Sequence, residues 1–247
     1  MWPSQKNDMI SFITSLYKSE KYLKTYLSAI DRFAKNISGK EIDFEIIIIS
    51  NNTSRKEEDL LRSAESNWFR VLKVELEGLY ASWNRGISLA HGDYIAFWNV
   101  DDIRYANAVV DGIKLLQKES SLVYFPFWYK RYIRIAGINV LAKKKLIIPP
   151  KFDRKEFTES MHCGPFFMFS KDFYEKVGPF DESFKIAGDF EWCVRAAQVS
   201  NFIKSNEIGG EFKNNGRSLS GGRNFLHIEE NDRIYKKFSV FDKLSKK

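Results

Sequence analysis

The sequence has few cysteines and no long apolar run, and both absences narrow the class of protein. Only Cys163 and Cys193 occur among 247 residues, too few for a disulfide framework or a cysteine-rich zinc site. No apolar stretch approaches the roughly 20 residues of a membrane-spanning helix, and residues 1–9 lack the apolar core of a signal peptide. We therefore expect a cytoplasmic protein with reduced thiols.

Signatures of nucleic-acid recognition are absent as well, although the chain carries excess positive charge. The formal net charge is +7, which favours an anionic partner such as a nucleic acid, an anionic lipid or a phosphorylated small molecule. The sequence has no zinc-finger spacing, no aromatic RNA-binding signature and no basic heptad repeat. We therefore expect no nucleic-acid partner, and the other two kinds of anion remain candidates.

What the first hundred residues do contain is an alternation of strand-like and helix-like segments. Strands are predicted at residues 10–17, 44–50, 69–76 and 93–99. Helices are predicted after Ser19, which occupies an N-cap position, and at 56–66 and 84–90. This alternation predicts an α/β fold with an open, mainly parallel sheet flanked by helices. No repeat or linker demands a boundary, so we expect a single domain over residues 1–247, with Pro149–Pro150 as the best candidate for a subdomain join.

Polar residues that follow the predicted strands are the first candidates for a binding site, because ligands bind outside the carboxyl ends of parallel strands. Asp101 and Asp102 follow the fourth strand directly, and adjacent carboxylates repel each other unless a cation or solvent compensates. We therefore expect these acids at the site. The alternatives are a solvated turn or, for Asp102, the N-cap of a helix that starts near Ala106.

Two ordered motifs carry a resemblance to a known family. One is GLYASWNRGISLAHGDYIAFWNVDD at residues 78–102, and the other is GPFFMFSKDFYEKVGPFDESFKIAGDFEWCVRAA at residues 164–197. The first is similar to a stretch of the inverting family 2 glycosyltransferases that runs through Asn-x-Gly to a strand ending in Asp-x-Asp-Asp. The second resembles the acceptor-side segment of that family, and the whole resemblance covers residues 9–219.

The resemblance implies the GT-A fold, a nucleoside-diphosphate sugar as donor and an acceptor hydroxyl that attacks with inversion. Residues of about 1–120 would bind the nucleotide sugar and about 121–247 the acceptor. A UDP- or GDP-linked donor and a glycan or lipid-linked acceptor are implied, with a role in bacterial surface polysaccharide or glycolipid synthesis. The alternative is a non-catalytic protein that keeps the fold and binds sugar nucleotides or polyanions.

A divalent metal, Mg²⁺ or Mn²⁺, is also implied, because such an ion offsets the charge of the departing diphosphate and prefers carboxylate oxygens. We assign Asp102 to the metal and Asp101 to the metal or to a sugar or ribose hydroxyl. Some GT-A enzymes add a histidine near the C-terminus, here His227, although a lone histidine is more often no ligand. The segment 214–224 before it is a candidate lid.

The same resemblance assigns the catalytic base. Asp189 matches the position of the family's base, with Glu191 as the fallback. A helix is predicted to begin near Asp189, and a helix N-terminus stabilises an ionised carboxylate. The alternative is an ordinary N-cap aspartate.

Nucleotide binding is expected from the loops after the first two strands and from the Asn-x-Gly motif. Tyr17 would stack on a base or ribose, unless it is a plain core aromatic. Arg85 would approach the diphosphate, unless it is a solvated helix residue. The full set of nucleotide-sugar-binding candidates is Thr14, Tyr17, Glu20, Asn51, Asn84, Arg85 and Asp101.

Three positions depart from the family pattern. Asn51 and its neighbours replace the two aspartates that often follow the second strand, which leaves the nucleotide base open. Asn99 replaces the first acid of Asp-x-Asp-Asp and so lowers the negative charge that faces a metal. Trp83 stands where many members have an arginine.

The basic tail offers a contact with a membrane. In residues 234–244 the apolar positions have helical spacing and lysines occupy others, a pattern suited to an anionic membrane surface. Peripheral contact with the inner face of the plasma membrane is therefore one expectation. Packing of the tail on its own domain is the other.

Overall fold

The computed structural model describes residues 8–64, 68–214 and 225–244, with side chains to residue 238. The strands in these ranges are β1 (Asp8–Leu16), β2 (Ile42–Asn51), β3 (Phe69–Val74), β4 (Tyr94–Phe97), β5 (Ile103–Arg104), β6 (Leu122–Tyr124), β7 (Phe127–Ile135), β8 (Ile138–Ile147), β9 (Phe167–Ser170), β10 (Ile203–Lys204) and β11 (Gly210–Asn214). The helices are α1 (Glu20–Ile37), α2 (Arg55–Ser63), α3 (Leu79–Ser88), α4 (Ala106–Leu116), α5 (Arg154–Glu159), α6 (Lys171–Val177), α7 (Gly188–Val199) and α8 (Phe225–Leu244).

Seven strands form the main sheet, in the order β10-β6-β9-β4-β1-β2-β3. Neighbouring strands in this sheet are parallel except for β9, which runs antiparallel to both β4 and β6. The prediction of an open, mainly parallel sheet flanked by helices is therefore confirmed. The parallel order brings the carboxyl ends of β1, β2 and β4 together at one edge.

The apolar run in β2 explains why helices cover both faces of this sheet. Successive side chains of a strand point to opposite faces, and Ile46 and Ile48 belong to one core cluster whereas Ile47 and Ile49 belong to the other. The first cluster includes apolar residues of α1 and α4, and the second those of α3 and α7. All four isoleucines are essentially inaccessible to solvent.

The start of the third helix differs from the sequence prediction. We predicted a helix at 84–90, but α3 begins at Leu79, after the extended N-cap residue Gly78. Tyr80, Trp83 and Ile87 all lie buried along α3 at the spacing of a single helix face, so the apolar face begins one turn earlier than the motif suggested. A Cβ on Gly86 would lie 2.3 Å from Cγ2 of Ile13, so glycine there lets α3 approach β1.

A smaller four-stranded sheet has the order β5-β11-β7-β8. Its strands β7 and β8 form a hairpin, and β11 pairs with β7 in parallel and with β5 antiparallel. Pro149–Pro150 lies between β8 and α5. The small sheet meets the main sheet beside the end of β4, because β5 follows β4 after only the turn at 98–102.

The C-terminal helix α8 packs on its own domain. Ile234 is inaccessible to solvent within a core cluster, and Phe238 packs against the same cluster. The hydroxyl of Tyr235 donates to the carbonyl oxygen of Glu159 at 2.8 Å. The predicted membrane-facing side chains at 234 and 238 are thus used internally, and those at 241 and 244 lie outside the described side chains. No helix in the described ranges has both the length and the hydropathy that crossing a membrane requires.

Candidate active site

A cleft of about 720 Å³ opens at the carboxyl ends of the central strands. This volume falls in the range of small-molecule sites. Loops after β1 and β2, the helix α3, the turn after β4 and the start of α7 all contribute to its walls. Its lining includes Tyr17, Lys18, Lys21, Asn51, Glu77, Tyr80, Trp83, Asn99, Asp101, Lys185, Asp189 and Phe212.

The two aspartates after β4 occupy different depths. Asp101 is half-buried and lines the cleft. Asp102 is buried behind it, where Nδ2 of Asn99 donates to its Oδ2 at 3.1 Å and the backbone N–H of Lys213 donates to its Oδ1 at 3.2 Å. The helix α4 begins at Ala106 after the N-cap residue Tyr105, so Asp102 is not its N-cap.

Burial is the main cause that raises the pKa of both carboxyl groups. Burial, and then the neighbouring charge of Asp101, raise the pKa of Asp102 to about 7, although the donors from Lys213 and Asn99 and the guanidinium of Arg104 lower it. Burial also raises the pKa of Asp101, against the opposing charges of Lys213 and Lys21. Both carboxylates therefore lie in a setting where an additional cation would favour ionisation.

Asp101 suits a divalent cation that takes only one or two ligands from the protein, rather than one held entirely by protein side chains. Among residues 8–64, 68–214 and 225–244, no group of three or more His, Cys, Asp or Glu side chains is placed to hold a metal. Mg²⁺ commonly takes one or two carboxylates and completes its shell with water and phosphate oxygens. Asp101 at the cleft wall, with Asp102 behind it, suits that arrangement.

Asp189 also lines the cleft and lies in the first turn of α7. Its Oδ1 accepts hydrogen bonds from the backbone N–H of Phe190 at 2.9 Å and from the hydroxyl of Tyr80 at 3.3 Å. Burial raises the pKa of Asp189, while these two donors and the charge of His227 lower it. His227 forms no three-ligand group with Asp101 and Asp102 within the described chain.

The segment before Asp189 is fixed by contacts from distant parts of the chain. The carboxylate of Glu230, on α8, accepts backbone N–H groups of Lys185, Ile186 and Ala187 at 2.7, 2.9 and 2.8 Å. A Cβ on Gly188 would lie 2.6 Å from the ring of Tyr80. Glycine at 188 thus lets the start of α7 lie directly against α3.

Glu191, the fallback base, faces the protein interior. Its side chain is inaccessible to solvent and forms ion pairs with Arg195 at 2.9 Å and Lys237 at 2.7 Å. It is not part of the cleft lining. Its contacts join α7 to α8, which is a structural use of the carboxylate.

The candidates in the first two loops divide between the cleft and its surroundings. Tyr17 is exposed and lines the cleft, with the ammonium of Lys18 over its ring at 5.0 Å. Asn51 also lines it, but its Nδ2 donates to Ser15 and Ser82 at 3.2 and 2.9 Å and its Oδ1 accepts from the Glu77 N–H at 3.1 Å. Two other candidates lie outside the lining, Glu20 in an ion pair with Lys56 and Thr14 buried against Tyr26 and Trp98.

The Asn-x-Gly motif positions the walls of the cleft. Oδ1 of Asn84 accepts the N–H of Phe180 at 2.9 Å, and its Nδ2 donates to the carbonyl oxygen of the same residue at 2.9 Å. Arg85 forms a bidentate pair with Glu77, with Nη2 at 2.8 Å from Oε2. Neither Asn84 nor Arg85 lines the cleft, whereas Glu77 does.

Several lining residues were missed in the sequence. Lys18, Lys21 and Lys185 bring positive charge to the cleft, and Glu77 brings a carboxylate. Lys18 has a positive φ of 48° in the turn after β1, so it lies in a tight loop. This loop is at the carboxyl end of a parallel strand, where a lysine can contact a phosphate group. Trp83, which replaces an expected arginine, stacks on Phe97 with ring centroids 3.7 Å apart.

A family model described as "Glycosyl transferase family 2" matches residues 11–178, which is more than half of the chain. The chain belongs to glycosyl transferase family 2. It is 25% identical over 209 residues to "Uncharacterized glycosyltransferase MJ1057" of Methanocaldococcus jannaschii, covering 81% of this chain and 68% of that protein. It is 23% identical over 213 residues to "Uncharacterized glycosyltransferase RP339" of Rickettsia prowazekii, covering 81% and 62%. The chain thus spans about two thirds of these relatives.

Two solved structures illustrate the similarity in fold. S. aureus TarS 1–349 in complex with UDP-GlcNAc has a TM-score of 0.66 at 16% identity, covering 93% of this chain and 71% of that one. Mannosyltransferase PcManGT from Pyrobaculum calidifontis, in complex with GDP-Man and Mn²⁺, has a TM-score of 0.58 at 12% identity, covering 82% and 56%. At such identities the likeness establishes the fold, and the predicted GT-A fold is confirmed.

Proposed function

We propose that this protein moves a sugar from a nucleoside-diphosphate sugar to an acceptor hydroxyl, with inversion at the sugar. The supporting observation is that Asp101 and Asp189 line one and the same cleft in a member of glycosyl transferase family 2. An inverting transfer is a single displacement, so it needs a base on the acceptor side and charge stabilisation on the donor side. Residues of about 1–120 would provide the donor side and about 121–247 the acceptor side of one domain.

Asp189 is the proposed base. Its Oδ1 is occupied by the donors from Phe190 and Tyr80, which leaves Oδ2 to take the proton of the acceptor hydroxyl. General-base assistance of this kind contributes roughly 10² to 10⁴ in rate. Burial raises the pKa of Asp189, which makes its ionised carboxylate a stronger base than an exposed one.

The donor diphosphate would lie against the lysines and Asp101. Lys18, Lys21 and Lys185 line the cleft and would contact phosphate oxygens as point charges. Mg²⁺ or Mn²⁺, when bound at Asp101 with Asp102 behind it, supplies the positive charge that offsets the departing diphosphate. Tyr17 would stack on the base or ribose. The assignment of His227 as a further ligand stays a prediction.

The donor is proposed to be linked to UDP or GDP. This is supported by two structures of similar fold, one of which holds UDP-GlcNAc and the other GDP-Man with Mn²⁺. The acceptor is proposed to be a glycan or a lipid-linked glycan in bacterial surface polysaccharide or glycolipid synthesis.

A thermal-shift screen tests donor and metal together, because a ligand that binds only folded protein raises the melting temperature. UDP, GDP and their sugars would be compared with and without Mn²⁺. We expect a shift that needs both nucleotide and metal and that Asp102→Ala weakens. No shift with any nucleotide would contradict the proposal.

A turnover assay distinguishes the proposed enzyme from the non-catalytic binding protein. We expect Asp189→Asn to lower donor hydrolysis or transfer by about 10² or more and to leave nucleotide affinity within a few fold. Asp31→Asn, an exposed position on α1, serves as the matched control. Nucleotide binding without turnover in the wild type would favour the non-catalytic alternative, and equal turnover in Asp189→Asn would falsify the assignment of the base.

A further inference from the structure

The β7–β8 hairpin extends beyond the rest of its sheet. Beyond Arg131, β7 pairs with β8 alone among the described strands, because Arg131 is the last residue of β7 that pairs with the described part of β11. Ala136 and Gly137, with φ of 46° and 84°, form the two-residue turn, as expected for a type I′ hairpin. Residues 132–141 therefore form a two-stranded ribbon that lacks a neighbour within the described chain.

One face of this ribbon is aliphatic. Ile133 lies opposite Val140, and Ile135 lies opposite Ile138, so alternation along the strands brings all four side chains to the same face. Their exposed fractions are 41%, 40%, 53% and 68% in that order. Single exposed aliphatic residues are common on protein surfaces, but four neighbours on one face form a patch that needs a partner.

The same face becomes basic toward the base of the hairpin. Arg131 lies opposite Lys143, and Tyr129 lies opposite Lys145. Directly opposed like charges destabilise a strand pair. Within residues 8–64, 68–214 and 225–238, no carboxylate forms an ion pair with Arg131, Lys143 or Lys145, so no ion pair in these ranges neutralises the positive band.

The aliphatic face and the basic band together indicate which kind of partner can bind this hairpin. A soluble polyanion would use the basic band and leave the aliphatic face in water, whereas a purely apolar partner would leave the cations uncompensated. A second copy paired along the edge strand β8 is disfavoured by three consecutive lysines at 143–145, because lysine on an edge strand opposes edge-to-edge pairing. An anionic bilayer satisfies both features, since aliphatic side chains enter the acyl boundary while cations stay among the headgroups.

We propose that this hairpin face binds the surface of an anionic lipid bilayer. The hairpin patch consists of Arg131, Ile133, Ile135, Ile138, Val140 and Lys143. Docking through the patch would hold the cleft near the membrane, because β11 pairs with β7 and carries Phe212 into the cleft lining. The proposal does not depend on transferase activity, so its test is independent of that of the proposed function.

Co-sedimentation of the full chain with vesicles tests the proposal. Phosphatidylcholine vesicles would be compared with vesicles that also contain phosphatidylglycerol. We expect Ile135→Ser with Ile138→Ser to lower partitioning to the anionic vesicles by about tenfold. We expect Arg131→Gln with Lys143→Gln to lower it by roughly 25-fold, as each cation near an anionic surface contributes about fivefold.

Matched controls are available elsewhere on the surface. Val199→Ser removes an exposed aliphatic side chain, and Lys40→Gln with Lys176→Gln removes two exposed lysines. Both controls should bind vesicles as the wild type does. Since both native cysteines are buried, a polarity-sensitive dye on Val140→Cys, which lies on the patch face opposite Ile133, would report insertion of that face directly, with a blue shift only on anionic vesicles.

Four outcomes would overturn the proposal. They are absence of wild-type binding to anionic vesicles, equal binding to neutral vesicles, and binding of the tip variant, Ile135→Ser with Ile138→Ser, at the level of the controls. The fourth is a concentration-dependent dimer in sedimentation velocity that the tip variants abolish, which would make this face an interface between copies. In the third case, loss of binding in Arg131→Gln with Lys143→Gln would indicate a polyanion site rather than a membrane contact.

Discussion

The hydroxyl of Tyr80 lies 3.3 Å from Oδ1 of Asp189 and 2.6 Å from the carbonyl oxygen of Ile186. One side chain of α3 therefore holds both the proposed base and the segment that precedes it, although 109 residues separate Tyr80 from Asp189. Because Gly188 gives the ring of Tyr80 its space, the position of the base depends on contacts between two distant motifs. Tyr80 is a positioning residue rather than a catalytic one.

We expect Tyr80→Phe to lower kcat by about tenfold and to change the donor KM little. The hydroxyl lowers the pKa of Asp189, so its removal should raise that pKa. Since the base must be ionised, the acidic limb of the kcat profile should move to higher pH. Tyr235→Phe, which loses a hydroxyl contact to a carbonyl oxygen away from the cleft, is the control. An unmoved pH profile in Tyr80→Phe would refute the positioning role.

Asp102 should give the folded protein a characteristic pH dependence. Burial raises its pKa to about 7, whereas the unfolded value is about 3.9. Between these values the folded state binds more protons, so this group makes stability fall as pH rises, with a slope of at most about 1.4 kcal/mol per pH unit. Below the unfolded pKa its contribution is fully present, and it is lost as pH rises through the folded pKa.

Replacement of Asp102 by Asn should remove that slope. We expect the free energy of unfolding of Asp102→Asn, relative to the wild type, to increase from about pH 4.5 to about pH 7.5 in denaturant titrations, where each limit lies about half a unit above one of the two pKa values. The free energy of unfolding of the control Asp31→Asn should change with pH in the same way as that of the wild type. Parallel curves for Asp102→Asn as well would mean that Asp102 is ionised in the folded protein throughout this window.

The clamp by Glu230 should stabilise the segment that leads to Asp189. Its carboxylate accepts three backbone N–H groups, and Gln would place an NH₂ group against at least one of them. We expect Glu230→Gln to cost about 1.5–3 kcal/mol of unfolding free energy and to speed hydrogen exchange at 185–187. The exposed neighbour Glu229→Gln should do neither. Exchange at wild-type rates in Glu230→Gln would show that the clamp does not hold this segment.

Local periodicity explains which parts of the fold could be predicted. The β-branched run at 44–50 predicts a buried parallel strand, and the observed strand β2 contains this run. The β7–β8 hairpin was not predicted, because residues 127–147 mix aromatic, basic and aliphatic side chains without clean alternation, and a register shift after Arg131 breaks the pattern. Its turn residue Ala136 also lacks the usual turn signal, since φ is positive there without glycine or asparagine.

Some features of the candidate site could likewise be predicted from the sequence, and others could not. Asp101 and Asp189 belong to local motifs, so the sequence pointed to both, and the fold brings both to one cleft. The depth of Asp102, the use of the Asn51 amide within the protein and the clamp from Glu230 depend on contacts between residues far apart along the chain. Residue types and spacing carry no information on such contacts.

Asn99 offers a test of why this chain departs from the family's Asp-x-Asp-Asp. Its Nδ2 donates to Oδ2 of Asp102 at 3.1 Å, so the amide supports the ionised carboxylate where an aspartate would repel it. We expect Asn99→Asp to lower the free energy of unfolding by about 1–3 kcal/mol at pH 8 without divalent metal. We also expect Mn²⁺ with UDP or GDP to stabilise Asn99→Asp more than the wild type, because a third carboxylate then faces the cation. Asn206→Asp, at an exposed turn, controls for added charge, and a metal response equal to that of the wild type would place the cation away from Asn99.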